Sequence, residues 1–126
     1  MNSGNFVNFT NHPSALWSDS QRSAACAYGN LVDYPFPEVD PFCDANDIEV
    51  LAQKCVNEIM QRNPSTVLCQ GEYSLAYAVT FLLHKKRIPV VAACSSRMVE
   101  EINEDGVTKR KSIFQFVQFR EVGKNF

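Results

Sequence analysis

Apolar and polar positions along this chain fall into short blocks whose period switches between that of strands and that of helices. Asn5 to Phe9 is an apolar-rich run that predicts a first strand. Thr10-Asn11-His12-Pro13-Ser14 follows as a polar loop, and Pro13 biases His12 toward extended backbone. Ser18 and Gln21 stand at capping-box spacing and predict a helix over Asp19 to Tyr28, stopped by Gly29. Leu31 and Val32 begin a second strand, which Pro35 and Pro37 end.

The clearest periodicity comes next. Ile48, Leu51, Ala52, Cys55, Val56, Ile59 and Met60 recur at three-four spacing, with Asn46 and Glu49 as a capping pair and Asn63-Pro64 as a stop. Thr66 to Cys69 reads as a buried strand that Gly71 breaks. Leu75 to Leu83 is apolar on nearly every face, as a helix packed on several sides is, and Lys85, Lys86 and Arg87 complement its C-terminal dipole. Val90 to Ala93 is continuous rather than alternating, the pattern of a parallel strand covered on both faces. Met98 to Ile102, an Asn103-Glu104-Asp105-Gly106 turn and Val107 to Val122 then predict a C-terminal β-hairpin, with a bulge where alternation breaks at Val117. Strands alternating with helices imply an α/β fold, a doubly wound and mainly parallel sheet flanked by helices. No repeat or linker interrupts the chain, so residues 1–126 read as one domain.

Composition narrows the function classes. With 126 residues the chain is long enough for a core of its own, and 45% apolar and 21% charged residues are ordinary globular values. A formal charge of −2 gives no general attraction to duplex nucleic acid or to an anionic membrane. No apolar run approaches the roughly 20 residues of a membrane helix, and Met1 to Phe9 lacks the pattern of a signal peptide. Cys26, Cys43, Cys55, Cys69 and Cys94 are odd in number and show no metal-ligand or redox spacing, so a cytoplasmic setting with reduced thiols is expected.

In such sheets ligands bind beyond the carboxyl ends of the strands, where strand order reverses. Three strands end in polar clusters: Asn11, His12 and Ser14; Gln70, Gly71 and Glu72; and Ser95, Ser96 and Arg97. Parallel topology would bring these distant segments to one edge, and that convergence is the chief functional signal. Each residue also has a plainer reading. His12 can be a turn residue, Ser14 a cap, Gly71 a tight turn, Glu72 a dipole partner and Arg97 a solvated charge. Trp17 reads as packing, and Lys109-Arg110-Lys111 as a charged edge that resists sheet-to-sheet association. There is no glycine-rich dinucleotide fingerprint or P-loop, and with His12 and His84 the only histidines neither a metal nor another cofactor is expected.

The blocks Asn8-Phe9-Thr10-Asn11-His12-Pro13-Ser14, Val32-Asp33-Tyr34-Pro35-Phe36-Pro37, Gln70-Gly71-Glu72, Ala92-Ala93-Cys94-Ser95-Ser96-Arg97 and Phe116-Val117-Gln118-Phe119-Arg120-Glu121 resemble a family of small, mostly uncharacterised bacterial proteins. In size and layout that family is similar to the minimal CRISPR-associated Rossmann-like (CARF-like) proteins, some of which are ring nucleases that degrade cyclic oligoadenylate messengers. The resemblance implies a single Rossmann-like domain and metal-independent cleavage of a cyclic oligonucleotide, in a homodimer that shares its ligand. A ribose 2′-hydroxyl would attack the adjacent phosphodiester. His12 would handle the proton, since histidine ordinarily titrates near neutrality, with Arg97 and Ser95 as its catalytic companions. Ser96, the Gly71 amide, Asn11, Ser14, Gln70 and Glu72 would hold the ligand. Two other readings stay open: a non-catalytic binder or sink for such a messenger, and a hydrolase or transferase acting on another small polar substrate.

Overall fold

Residues 4–126 are described by a computed structural model of the chain. Strand β1 (Asn5–Phe9) is followed by a short 3-10 turn (Ser14–Leu16), helix α1 (Asp19–Cys26) and strand β2 (Asn30–Asp33). Helix α2 (Ala45–Gln61), strand β3 (Pro64–Cys69) and helix α3 (Tyr73–Lys85) come next, and strands β4 (Val90–Glu104) and β5 (Val107–Glu121) close the chain. The five strands form one sheet in the order β2-β1-β3-β4-β5. All neighbours are parallel except β4 and β5, which are antiparallel.

Side-chain alternation divides the core between the two faces of this sheet. Val7, Phe9, Val67, Cys69 and Val90 pack with Ala52, Cys55, Val56 and Ile59 of α2 and Leu75, Val79 and Leu83 of α3. Phe6, Leu68, Val91 and Phe119 pack with Trp17 and with Ala25 of α1. Because β2 lies on one side of β1 and β3 on the other, the strand order reverses at the carboxyl ends of β1 and β3. None of the described helices is long and apolar enough to cross a membrane.

Most elements lie where the hydrophobic pattern puts them, but their ends differ for local reasons. Helix α1 stops at Cys26 rather than Tyr28. The chain must turn at Gly29, where φ is 156° and a Cβ would lie 2.2 Å from the Gly4 carbonyl oxygen. Helix α2 starts at Ala45 because Asp44 and Asp47 form the capping box, not Asn46 and Glu49. Pro64 opens β3, the strand position where its missing N–H costs least.

The larger difference concerns β4. The expected fourth strand and the first half of the expected hairpin are one 15-residue strand, and β5 matches it in length. The turn falls at Asp105 and Gly106, both at positive φ (51° and 78°), which suits a tight hairpin. The bulge is at Val117 as expected, since Cys94 pairs with Gln118 and Ser95 with Phe116. Strand β3 holds β4 only at Val90 and Val91. Beyond that point the β4–β5 ribbon leaves the sheet as a two-stranded arm.

Candidate functional site

The loop after β1 is shaped by one buried side chain. Asn8, almost fully buried, donates from Nδ2 to the Asp33 Oδ1 at 3.0 Å and to the His12 carbonyl at 2.9 Å. Its Oδ1 accepts the Thr10 hydroxyl at 2.7 Å, and the Thr10 oxygen accepts the His12 N–H at 3.1 Å. The Trp17 indole N–H donates to the same His12 carbonyl at 3.1 Å, and Asp33 Oδ2 accepts the Ser14 N–H at 3.2 Å. A buried amide with every atom partnered fixes a loop far more firmly than its length would suggest. The backbone of His12 is thus held at both its N–H and its carbonyl, while its side chain is exposed.

His12 helps to line a cleft of about 500 Å³ between the start of α1 and the base of the arm. His12, Trp17, Ser18 and Gln21 form one wall; Ser95, Phe114 and Phe116 form the other. Trp17 is anchored edge-on against Phe6, with ring centroids 6.4 Å apart, so its role in packing and its place in the cleft coexist. The volume is that of a pocket for a small organic ligand, and its mixture of aromatic surface with hydroxyl, amide and imidazole groups has the usual character of such a site.

Of the sequence-predicted residues, His12 and Ser95 both line this cleft. Arg97 follows Ser95 by two residues, hence on the same ribbon face and roughly 7 Å further out. Its guanidinium donates to the Ser112 hydroxyl, from Nη2 at 3.0 Å and Nε at 3.3 Å, rather than lining the cleft. Ser96 pairs with Gln115, and alternation turns it to the opposite face. Ser95, Ser96 and Arg97 therefore lie within a strand, not after its end, because β4 continues past β3.

The remaining candidates have local tasks. Asn11 lines a small recess of about 90 Å³ with Asp33 and Pro35, and Ser14 is tied to Asp33. Gln70 stitches strand ends together: its N–H donates to the Phe9 carbonyl, and its Oε1 accepts the Ala93 N–H at 3.0 Å. Gly71 lies under the buried Phe36, whose ring would stand 2.5 Å from an added Cβ. Glu72 caps α3, accepting the Ser74 N–H at 2.5 Å and the Ser74 hydroxyl, and these bonds hold its carboxyl below the usual carboxylate range.

Sequence reasoning missed the roles of Asn8, Asp33, Gln21 and Phe114. Asn8 was legible in principle, as a polar residue inside an apolar strand. The roles of the other three depend on how β2, α1 and β5, each of them expected as an element, pack in space, and spacing does not encode that. A second cleft, about 480 Å³, lies between α2 and α3 and is walled mainly by Ala52, Tyr77, Phe81 and Leu82. It contains none of the residues singled out for chemistry. Among the described residues no three His, Cys, Asp or Glu side chains cluster as metal ligands would.

No curated protein shows significant similarity to the chain. A family model described as the uncharacterized protein MJ1673 family matches residues 4–120, which takes in every strand and helix of the fold but for the last residue of β5. The chain belongs to the MJ1673 family of uncharacterised proteins.

Proposed function

We propose that this chain binds a cyclic oligonucleotide messenger in the cleft between the His12 loop and the arm, and cleaves it without metal. The reading includes a Rossmann-like, doubly wound fold, supported by the strand-order reversal between β1 and β3 and by the separate helix packing on the two faces. The single observation that carries it is that His12 and Ser95, from segments far apart in the chain, line one cleft together with aromatic side chains. The exposed ring of Phe114, with Phe116 beside it, suits a nucleobase, since every base offers a π-face for stacking. The cyclic nature of the ligand comes from the sequence resemblance.

In the cleavage step, the His12 imidazole removes the proton of a ribose 2′-hydroxyl. The 2′-oxygen–phosphorus bond forms as the phosphorus–5′-oxygen bond breaks, and the leaving 5′-oxygen takes its proton from water. The product carries a 2′,3′-cyclic phosphate. The Ser95 hydroxyl donates to a non-bridging phosphate oxygen, and Arg97 swings from Ser112 to neutralise the developing charge.

A second reading, binding without turnover, has its own support. No hydrogen bond among the described residues orients the His12 imidazole, whereas a base in a working constellation is usually oriented by a third group. One experiment separates the two. Cyclic tri-, tetra- and hexa-adenylate are incubated with the protein, and both retained ligand and 2′,3′-cyclic phosphate products are measured. His12→Ala should lower turnover by roughly 10²–10⁴-fold while leaving affinity within a few-fold. Arg97→Ala should weaken binding by about 2 kcal/mol, on the order of 30-fold. Retention without product would establish the sink, and absence of binding by all three probes would reject both readings.

A further inference from the structure

We infer that the β4–β5 arm is the surface through which two copies of this chain associate. Its dimensions make it an odd appendage for a monomer. Each strand is 15 residues long, so the ribbon extends roughly 50 Å, yet β3 grips it only at Val90 and Val91. A two-stranded ribbon is at best marginally stable alone in water and needs something packed on a face.

The arm's apolar surface has nowhere to go within the chain. Met98 is 51% exposed, Val99 54%, Phe114 70% and Val117 58%. Met98 pairs with Ile113 on one face, and Val99 lies on the other. Apolar positions of this density on a projecting element mark an interaction surface rather than scattered exposure.

Charge identifies the occupant. The outer half of β4 carries Glu100, Glu101 and Glu104, and the facing half of β5 carries Lys109, Arg110 and Lys111. The arm is therefore neutral in sum, which gives a polyanion or an anionic membrane no net attraction. A second copy is different. When two such ribbons stack face to face about a two-fold axis running along them, β4 of one lies over β5 of the other. On the Val99 face Glu101 then lies over the partner's Arg110, and on the Met98 face Glu100 and Glu104 lie over the partner's strand carrying Lys111 and Lys109, so either face brings acidic side chains onto basic ones. Phe114 belongs to both surfaces, whereas Met98 and Val99 are not among the residues that line the cleft, so substitutions at these two probe association without altering the cleft's own lining.

The test is sedimentation of the full chain from low micromolar to a few hundred micromolar, beside Met98→Glu and Val99→Glu. Wild type should dimerise in that range. One of the two variants, according to which face packs, should raise the dimer dissociation constant at least tenfold while its thermal unfolding stays unchanged. Amide hydrogen exchange gives a readout independent of any variant: protection over residues 95–117 should rise with protein concentration. A wild type that stays monomeric throughout would overturn the inference. So would a dimer untouched by both substitutions, which would point instead to the exposed Tyr73–Tyr77–Phe81 face of α3.

Discussion

The inner strands β1 and β3 and the outer half of the β4–β5 arm are built from similar backbone ladders, but they are stabilised by different physics. Phe6, Val7, Phe9, Val67 and Leu68 are buried between helices on one face or the other, so each residue draws on transfer from water and close packing. From Ser95 outward nearly every residue of the arm is exposed, and beyond Phe116, which packs on Phe119, its ladder is backed by cross-strand pairs. A buried aromatic side chain is worth about 3–5 kcal/mol on truncation, whereas a cross-strand pair on an open ribbon contributes roughly 0.2–1 kcal/mol. The polar cleft lies at the boundary between the two regimes. Its His12 wall belongs to the rigid body and its Phe114 wall to the arm. A ligand there joins an element that cannot move to one that has little to hold it.

The contrast is broken or sharpened most forcefully at Phe6. Its ring meets Trp17, Tyr28 and Phe119 with centroids 6.4, 5.7 and 5.0 Å away, and it has no exposed surface. Phe6→Ala should lower the unfolding free energy in urea by about 3–5 kcal/mol, while Val99→Ala on the arm should change it by less than about 0.5 kcal/mol. Comparable losses at both positions would mean that the arm is packed as tightly as the body.

This same division explains what the sequence disclosed. Strongly periodic segments such as Ile48 to Met60, and continuous apolar runs such as Thr66 to Cys69, announce themselves because burial imposes their pattern. Even the bulge at Val117 was visible as a break in alternation. Within the arm no burial constrains the pattern. Ser95, Ser96 and Arg97 therefore read as the end of a strand, when β4 continues through them to Glu104. For the site, the proximity of His12 and Ser95 followed from parallel topology alone. The diversion of Glu72 into capping, of Gly71 under Phe36 and of Arg97 to Ser112 depended on side-chain contacts that spacing does not encode.

A medium-sized effect comes from Cys69, in the body. Burial pushes its thiol from an ordinary value of 9.0 up to about 11. Between those values the folded chain keeps a proton that the unfolded chain loses, so stability must fall as pH rises from about 9 to about 11. Two units at about 1.4 kcal/mol each amount to about 2.8 kcal/mol in all, of which roughly 2 kcal/mol is lost between pH 9 and pH 11. Burial raises Cys55 and Tyr34 in the same direction. Urea unfolding at pH 8, 9.5 and 11 should show the decline, and Cys69→Ala should flatten it after its own constant cost is subtracted. An unchanged slope in the variant would mean that water reaches Cys69.

The smallest effect is expected at the outer end of the arm, where Arg110 Nε lies 3.6 Å from Glu101 Oε1. Both side chains are largely exposed, so the pair is worth a few tenths of a kcal/mol at most, and salt should erase it. Global unfolding is the wrong measurement for Arg110→Ala, because the outer arm, beyond the β3 pairing at Val90 and Val91 and the Phe116–Phe119 packing, can open while the body stays folded. Amide exchange at low protein concentration reads that opening directly. Losing a few tenths of a kcal/mol should speed exchange at residues 100–111 by about two-fold, with Val7, Val67 and Leu68 unchanged. Equal acceleration at the three core amides would show that arm and body open together as one cooperative unit. In that case the two regimes would be a difference in exposure without a difference in stability.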